Sequence, residues 1–209
     1  MTFFLEVLIG GLLSGVLYAL VALGFVLIFK ASGVFNFAQG AMVFFAALTF
    51  VGFTEVLPGW TGLAQGTAGN FWLAFILALS SMIVLGIATE RVVLRPLVNQ
   101  PPITLFMVTI GLTFFIEGVA QGIWGSHVRG LNLGIEDVPV MFLLDNFDMI
   151  ISQFDLIAAG IALVLFVTLA LLFQYTKVGR ALRAVADDHQ AALSVGIPLK
   201  HIWAIVWSV

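Results

Sequence analysis

The stretch VLIGGLLSGVLYALVALGFVLIF, residues 7–29, carries no charged side chain and is closed by Lys30. A helix of about 20 apolar residues is long enough to cross the hydrocarbon core of a bilayer. The stretch therefore predicts a membrane-spanning helix near the start of the chain. Its continuous apolar character also argues against a β-barrel, whose strands are short and alternate between apolar and polar residues.

The composition of the whole 209-residue chain agrees with this prediction. Hydrophobic residues make up 62% and charged residues 9%, whereas soluble domains have about 45–50% apolar and about 25% charged residues. The net charge of −3 offers no basic face for nucleic acid, and the absence of cysteine excludes disulfides and thiolate metal sites. These numbers predict an all-α integral membrane protein, a polytopic helical bundle.

Four further apolar runs predict spans at residues 31–54, 71–89, 103–125 and 156–173. The first of these runs contains Asn36, Gln39 and two glycines in its first half, so we expect its start to be broken or re-entrant. Residues 54–70 contain Pro58 and several glycines and predict a loop. Residues 126–155 predict a folded outer loop, with a short apolar stretch at 138–144 that suits a strand.

The end of the chain predicts the start of a sixth span. Residues 201–209 are apolar, but nine residues cannot cross a hydrocarbon core about 30 Å thick. We therefore expect residues 1–209 to form one transmembrane domain that is C-terminally incomplete. About five spans plus the start of a sixth make up the predicted bundle.

The distribution of basic residues predicts the orientation of these spans, because cytoplasmic loops carry an excess of Lys and Arg. With the N-terminus outside, seven of the eight basic residues are cytoplasmic and Arg129 is the one outside. Residues 126–155 are then a periplasmic loop and residues 177–200 a cytoplasmic loop. The seven cytoplasmic residues are Lys30, Arg91, Arg95, Lys177, Arg180, Arg183 and Lys200.

The cytoplasmic loop predicts a short amphipathic helix, because Leu182, Val185 and His189 recur at three- and four-residue spacing. Two interpretations follow from this pattern. The helix rests on anionic lipid through Arg180 and Arg183, or it docks to a cytoplasmic partner.

Four motifs in the chain resemble those of one family. Gln190 to Gly196, QAALSVG, is similar to the Glu-Ala-Ala-x-x-x-Gly signature of ABC importer permeases, with Gln in place of Glu. GVFNFAQG at 33–40, Glu90-Arg91 with Arg95-Pro96-Leu97, and GRALRA at 179–184 are similar to motifs of the branched-chain amino acid permeases. The chain therefore resembles the inner-membrane permease subunits of branched-chain amino acid ABC importers.

The resemblance implies a multi-pass subunit of the bacterial inner membrane with a periplasmic N-terminus. It also implies that the subunit pairs with a second, homologous or identical permease and docks two cytoplasmic ATPase subunits. A periplasmic substrate-binding protein would deliver the substrate. The residues assigned to the ATPase-coupling loop by this resemblance are Gly179, Arg180, Gln190, Ala191, Ala192 and Gly196.

Polar side chains within the spans mark a candidate translocation path, because a polar group facing lipid costs several kcal/mol unless it is paired. We expect Asn36, Gln39, Gly40 and Glu117 to lie near this path. A purely structural interpretation stays open. Asn36 and Gln39 would then satisfy backbone groups near the two glycines, and Glu117 would reach water or a neighbouring residue.

The sequence contains no motif for ATP hydrolysis by this chain. No lysine follows a glycine, so a Walker A motif is absent, and His-Glu-x-x-His does not occur. We expect a transport subunit that binds no cofactor of its own, with ATP used by partner subunits. Gln39 stands where His is common in the family, and Ala41 where many relatives carry an acid, so importers of urea, amides or another small polar solute remain alternatives.

Two other classes stay open. An ion-coupled secondary transporter would use Glu117 and the Asn36 segment, and a scaffold would not transport at all. A membrane-embedded enzyme would need clustered His or carboxylate groups within the bilayer, and one acid, Glu117, does not form such a cluster. Two ATPase genes and a binding-protein gene beside this gene would favour the importer.

The orientation is testable because the chain has no native cysteine. A single Ser126→Cys substitution should react with a membrane-impermeant thiol reagent added from the periplasmic side. Labelling of this cysteine only from the cytoplasmic side would show that the orientation is inverted.

Overall fold

A computed structural model of the chain describes residues 2–62, 64–97, 100–130, 138–187 and 206–207. Within these ranges five helices are long and apolar enough to cross a membrane, which confirms the predicted all-α polytopic architecture. In chain order the helices are α1 (Thr2–Ser32), α2 (Gln39–Thr61), α3 (Ala68–Ala88, continued by other helical turns to Leu97), α4 (Pro102–Trp124), the short α5 (Met141–Phe147), α6 (Gln153–Tyr175) and the short α7 (Lys177–Asp187).

Contacts divide the chain into two compact units. One contains α1 up to Val26, α5, α6 and the first part of α7. The other, which we call the three-helix unit, contains the end of α1 together with α2, α3 and α4. In this unit α2 is central and packs against both α3 and α4.

The core of the three-helix unit lies where α2 meets α4. Leu112, Ile116 and Ala120 on α4 are four residues apart and face Ala41 and Phe45 on α2. The small alanine side chains let the two backbones approach closely, as is usual between helices in a membrane. This packing positions one face of α4 against the start of α2.

The outer surfaces of the helices are apolar as well. Leu12 on α1 is 62% exposed and Val164 on α6 is 65% exposed. A helix that is apolar on every side is suited to hydrocarbon rather than water. The exposed surface therefore agrees with the predicted membrane environment.

Helix α2 continues to Thr61 and α3 begins at Ala68, so the prediction of a loop at residues 54–70 was wrong for its first eight and its last three residues. Pro58 lies inside the helix and has no N–H to donate to the carbonyl of Thr54. The buried side chain of Asn70, in the first turn of α3, donates to this carbonyl through Nδ2 at 3.0 Å. Tertiary contact thus supplies the hydrogen bond that the proline removes.

Helix α3 also runs further than the predicted end at residue 89. A π-helical segment, Thr89–Leu94, follows Ala88, and a 3-10 turn, Arg95–Leu97, follows that segment. The charged side chains in this stretch do not end the helix, and two of them, Glu90 and Arg95, form an ion pair with each other.

The predicted strand at 138–144 was wrong for residues 141–144, which begin α5. The N–H groups of Leu143 and Leu144 donate to the carbonyl of Val140 and close a helical turn. Strand-like pairing is limited to an isolated antiparallel bridge between Pro139 and Ser152 in the part of the loop that the structure describes.

The Asn70 contact predicts a coupled pair of substitutions. Asn70→Ala should lower the free energy of unfolding by roughly 1–3 kcal/mol, because it leaves the Thr54 carbonyl without its side-chain donor. In a Pro58→Ala background the new N–H at position 58 bonds to Thr54, so Asn70→Ala should cost less. Detergent unfolding titrations of the four proteins measure this double-mutant cycle, and an equal cost in both backgrounds would contradict the assignment.

Candidate functional site: the junction segment and the polar band of α4

The predicted break before the second span lies at Gly33–Ala38, which we call the junction segment. Helix α1 ends where Gly33 adopts a left-handed conformation with φ of 69°, and its N–H donates to the carbonyl of Phe29 at 2.8 Å. Residues with a Cβ rarely adopt this conformation, so a glycine is favoured at this position. The chain then turns out of α1 and enters α2 at Gln39.

Side chains of the junction segment alternate between buried and exposed positions. Val34, Asn36 and Ala38 are buried, whereas Phe35 and Phe37 are exposed. Asn36 is 0% exposed and its Oδ1 accepts a hydrogen bond from the N–H of Ala38 at 3.1 Å. This bond satisfies a backbone donor just before α2, so Asn36 acts as a local cap of the kind that asparagine commonly forms.

Two threonines of α4 supply hydrogen-bond donors to backbone carbonyls of the junction segment. The hydroxyl of Thr109 lies 3.2 Å from the carbonyl of Phe35 and 2.9 Å from that of Phe106 on its own helix. The hydroxyl of Thr113 lies 3.3 Å from the carbonyl of Phe37 and 3.1 Å from that of Thr109, so each hydroxyl shares its one hydrogen between the junction segment and α4. Thr109 lies seven residues into α4, or about 10 Å along the helix. Non-helical backbone at membrane depth requires such partners, because lipid supplies none.

These threonines begin a longer series on α4, which we call the polar band. Thr109, Thr113, Glu117 and Gln121 follow one another at four-residue intervals in an otherwise apolar helix. Each interval turns about 40° around the helix axis. The band accordingly winds outward: Thr109 is buried, Glu117 is half-buried and Gln121 is exposed.

Beyond Gln121 the polar band opens into a groove of about 440 Å³ between α2 and the end of α4. Its α2 wall is apolar, and Gln121, His127 and Arg129 contribute polar groups. The Arg129 guanidinium forms an ion pair with Glu55 and donates to the carbonyl of Trp124. The C-terminal parts of α2 and α4 therefore lie at the same end of the three-helix unit. The α2 wall consists of Phe44, Ala47, Leu48 and Val51.

The structure brings together three of the four residues predicted for the path. Asn36, Gln39 and Gly40 all lie at the entry to α2, where Gln39 is half-buried and Gly40 is exposed. Glu117 lies on α4, one turn beyond the Thr113 that contacts the junction segment. The hydrogen bond from the Ala38 N–H to Oδ1 of Asn36 favours the structural interpretation for that residue, while Glu117 retains both interpretations.

Of the residues predicted for ATPase coupling, Gly179 and Arg180 lie in the described part of the chain. They form a tight corner between α6 and α7, which are separated by Thr176 alone. The Thr176 hydroxyl accepts the N–H of Gly179 at 3.1 Å, and the Arg180 guanidinium donates to the carbonyl of Tyr175 at 3.2 Å. Gln190, Ala191, Ala192 and Gly196 lie outside the described residues.

Gly179 is required by the shape of this corner. A Cβ at this position would overlap the backbone carbonyl of Phe173, so any larger residue has to displace α7 from the end of α6. Arg180 complements the glycine by capping a C-terminal carbonyl of α6, where a positive charge is favoured. The close approach of the two helices at this corner explains the glycine.

Sequence reasoning missed three residues that shape the site. Thr109 and Thr113 were detectable as polar residues four positions apart within an apolar run, in line with Glu117. Glu90 is 1% exposed and forms the ion pair with Arg95. Both charged residues belong to a motif quoted above, but a spacing of five residues does not predict contact on an ordinary α-helix.

Five apolar helices, a broken entry into α2 and a polar band within α4 define a multi-pass helical membrane protein. Residues 7–209 match the family described as branched-chain amino acid transport system / permease component, and the chain belongs to this family. The resemblance stated from the motifs is thereby confirmed.

Curated relatives carry the same designation. The chain is 26% identical over 216 residues to the high-affinity branched-chain amino acid transport system permease protein LivH of Escherichia coli K12, covering 99% of this chain and 67% of the relative. BraD of Pseudomonas aeruginosa, a permease protein of a high-affinity branched-chain amino acid transport system, is 24% identical over 213 residues, with coverage of 99% and 66%. A probable LivH of Methanocaldococcus jannaschii is 24% identical over 208 residues, with coverage of 96% and 61%. No solved structure matches significantly.

The corner at Gly179 yields a stability prediction. Gly179→Ala should lower the free energy of unfolding by roughly 1–3 kcal/mol, because the new methyl group meets backbone that cannot move aside. Gly160→Ala is the matched control, since a Cβ at position 160 on α6 meets nothing within 4 Å. Unfolding titrations in detergent compare the two variants, and equal stability would show that the corner tolerates a side chain.

Proposed function

We propose that the chain is the permease subunit of an ATP-driven importer that moves branched-chain or similar amino acids across the inner membrane. The observation that carries the proposal is the polar band, which runs along α4 from the junction segment to the groove at Gln121. Polar side chains are costly in lipid and commonly mark pathways through membrane proteins. The family and the names of the relatives support the substrate class.

In this proposal Asn36, Gln39, Gly40 and Glu117 lie along the translocation path. Asn36 positions the junction segment, and Glu117 offers a half-buried carboxylate within the polar band. The groove is the periplasmic end of the path. Its apolar α2 wall suits an aliphatic side chain, and Gln121 and His127 suit the polar groups of an amino acid.

The proposal also includes the partners that this chain needs. A second permease subunit completes the membrane part, a periplasmic binding protein delivers substrate, and two cytoplasmic ATPases supply energy. The chain itself binds no cofactor and hydrolyses no ATP. The loop at 177–200 receives the motion of the ATPases. The α6–α7 corner supports this role, because Thr176 alone separates the two helices and a movement of α7 is therefore passed on to α6.

ATP-driven closure of the ATPases would move α7 and thereby shift the bundle between inward-open and outward-open states. Such a shift requires that the partners make different contacts in the two states. An importer of urea or amides, or an ion-coupled secondary transporter, is the main competing proposal. These alternatives differ from the importer in substrate and in energy source.

Uptake measurements distinguish these possibilities. The full-length subunit, reconstituted in proteoliposomes with its ATPases and binding protein, should accumulate radiolabelled leucine when ATP is present and no ion gradient exists. Uptake of urea or an amide in preference to leucine would contradict the proposed substrate. Uptake that needs an ion gradient and no ATP would contradict the proposed energy source.

Substitutions in the polar band test the proposed path. Glu117→Gln and Thr113→Val should each lower leucine uptake, roughly tenfold for an interaction of about 1.4 kcal/mol in the transport step. Thr168→Val is the matched control, because the Thr168 hydroxyl is exposed on α6 and donates to the Val164 carbonyl of its own helix. Normal uptake by Glu117→Gln at normal membrane levels would remove Glu117 from the path.

A further inference from the structure

The π-helical segment Thr89–Leu94 contains a buried carboxylate that the proposed path does not use. Glu90 is 1% exposed, although it lies at the end of an otherwise apolar helix. Its Oε1 accepts hydrogen bonds from Nε and Nη2 of Arg95 at 3.1 and 2.9 Å, and its Oε2 accepts from Nη2 at 2.9 Å. The planar guanidinium thus engages both carboxylate oxygens, an arrangement that is strong and specific in geometry.

The five-residue spacing of this pair is incompatible with a regular α-helix. Five residues turn about 500° around an α-helix axis, which leaves their side chains about 140° apart. In a π turn the backbone bonds from residue i to residue i+5, so the two residues lie one turn apart and can touch. The Arg95 N–H donates to the Glu90 carbonyl in this pattern. The backbone bond and the ion pair therefore join the same two residues.

The extra residue in the π turn also sets which side chains face the core. Leu94 is 1% exposed, and Val93 packs against the core shared by α2 and α4. Arg91 and Val92 are directed outward, with Val92 71% exposed. Relaxation to an α-helix would rotate these positions and would separate Glu90 from its charged partner.

We propose that Glu90 and Arg95 are positioning residues whose ion pair holds α3 in the π register, and that transport requires this register. The pair fixes the direction in which the chain leaves α3 toward Pro102, the first residue of α4. It thereby positions the helix that carries the polar band. The transport part of this inference rests on the proposed function.

Pro96 provides a competing cause for the π turn. Proline has no N–H and its ring clashes with the carbonyl four residues earlier, so it disfavours a regular α-helix across Val92 to Pro96. If proline alone produced the π turn, loss of the ion pair would leave the backbone unchanged. A structural measurement on variants of the pair separates the two causes.

Spin labels on each side of the π turn provide this measurement. Cysteines replace the exposed residues Val84 and Gln100 in the full-length, otherwise cysteine-free subunit in lipid nanodiscs, and pulsed EPR gives the distance between the labels. Glu90→Gln should broaden or shift the distance distribution, whereas Pro96→Ala should leave it unchanged. An unchanged distribution in Glu90→Gln would overturn the proposed role of the pair.

Deletion of Val92 tests whether the π register itself matters. The deletion removes the extra residue, so α3 can continue as an α-helix, and it brings Glu and Arg to a four-residue spacing that permits contact in that helix. The deletion variant should insert and assemble normally but lose leucine uptake by at least about tenfold. Val92→Ala is the control and should transport normally, because this side chain is exposed.

The outcomes of the two experiments are separable. Wild-type uptake by the Val92 deletion would overturn the requirement for the π register. Absence of ATP-driven uptake in the wild-type complex would instead refute the proposed function. The EPR comparison of wild-type and Glu90→Gln subunits would still decide whether the ion pair holds the π turn, because it requires no transport.

Discussion

Backbone N–H and C=O groups in hydrocarbon must find partners within the protein, because lipid offers none. At two places in the three-helix unit the backbone departs from regular helical hydrogen bonding, and at each place a side chain supplies a donor to a backbone carbonyl. At the junction segment, Thr109 and Thr113 donate to the carbonyls of Phe35 and Phe37. Inside α2, Asn70 donates to the carbonyl that Pro58 leaves unpaired. These polar side chains therefore act as hydrogen-bond donors to the backbone of the unit.

Because of the same constraint, one polar side chain can both stabilise the fold and contribute to a translocation path. A hydroxyl that satisfies a carbonyl at membrane depth also places a polar group inside the bundle. Thr113 contacts the junction segment, and Glu117 follows one turn later on the same helix. A path for a polar solute can extend from groups that the fold already needs. Glu117 differs from the threonines because a carboxylate has no N–H or O–H to offer a carbonyl when it is ionised.

The buried carboxylate at the end of α3 likewise needs a partner within the protein. An unpaired carboxylate is expensive to bury, and a bidentate arginine offsets this cost only when the geometry is favourable. Glu90 and Arg95 reach that geometry through a π turn, which is rare and is often found at functional sites. The buried ion pair and the π turn therefore occur together at the end of α3.

The class of protein and the number of spans were determined by sequence alone. Long uncharged runs, 62% hydrophobic residues and the motifs of the permease family lead to a multi-pass helical permease without any tertiary information. Burying apolar side chains in lipid is a local property of each segment, so hydropathy along the chain reports it. The broken start of the second span was also predictable, because Gly33, Asn36 and Gly40 signal it locally.

Only the tertiary structure decided where helices end and which polar groups meet. Pro58 predicted a loop, but Asn70, twelve residues further along the chain, keeps the helix intact. Charges predicted the end of α3 at residue 89, but Glu90 and Arg95 pair with each other and the helical turns continue to Leu97. The partners of the junction segment lie more than 70 residues away on α4. A hydrogen bond or ion pair between distant residues depends on their distance in space, which the order of residues along the chain does not specify.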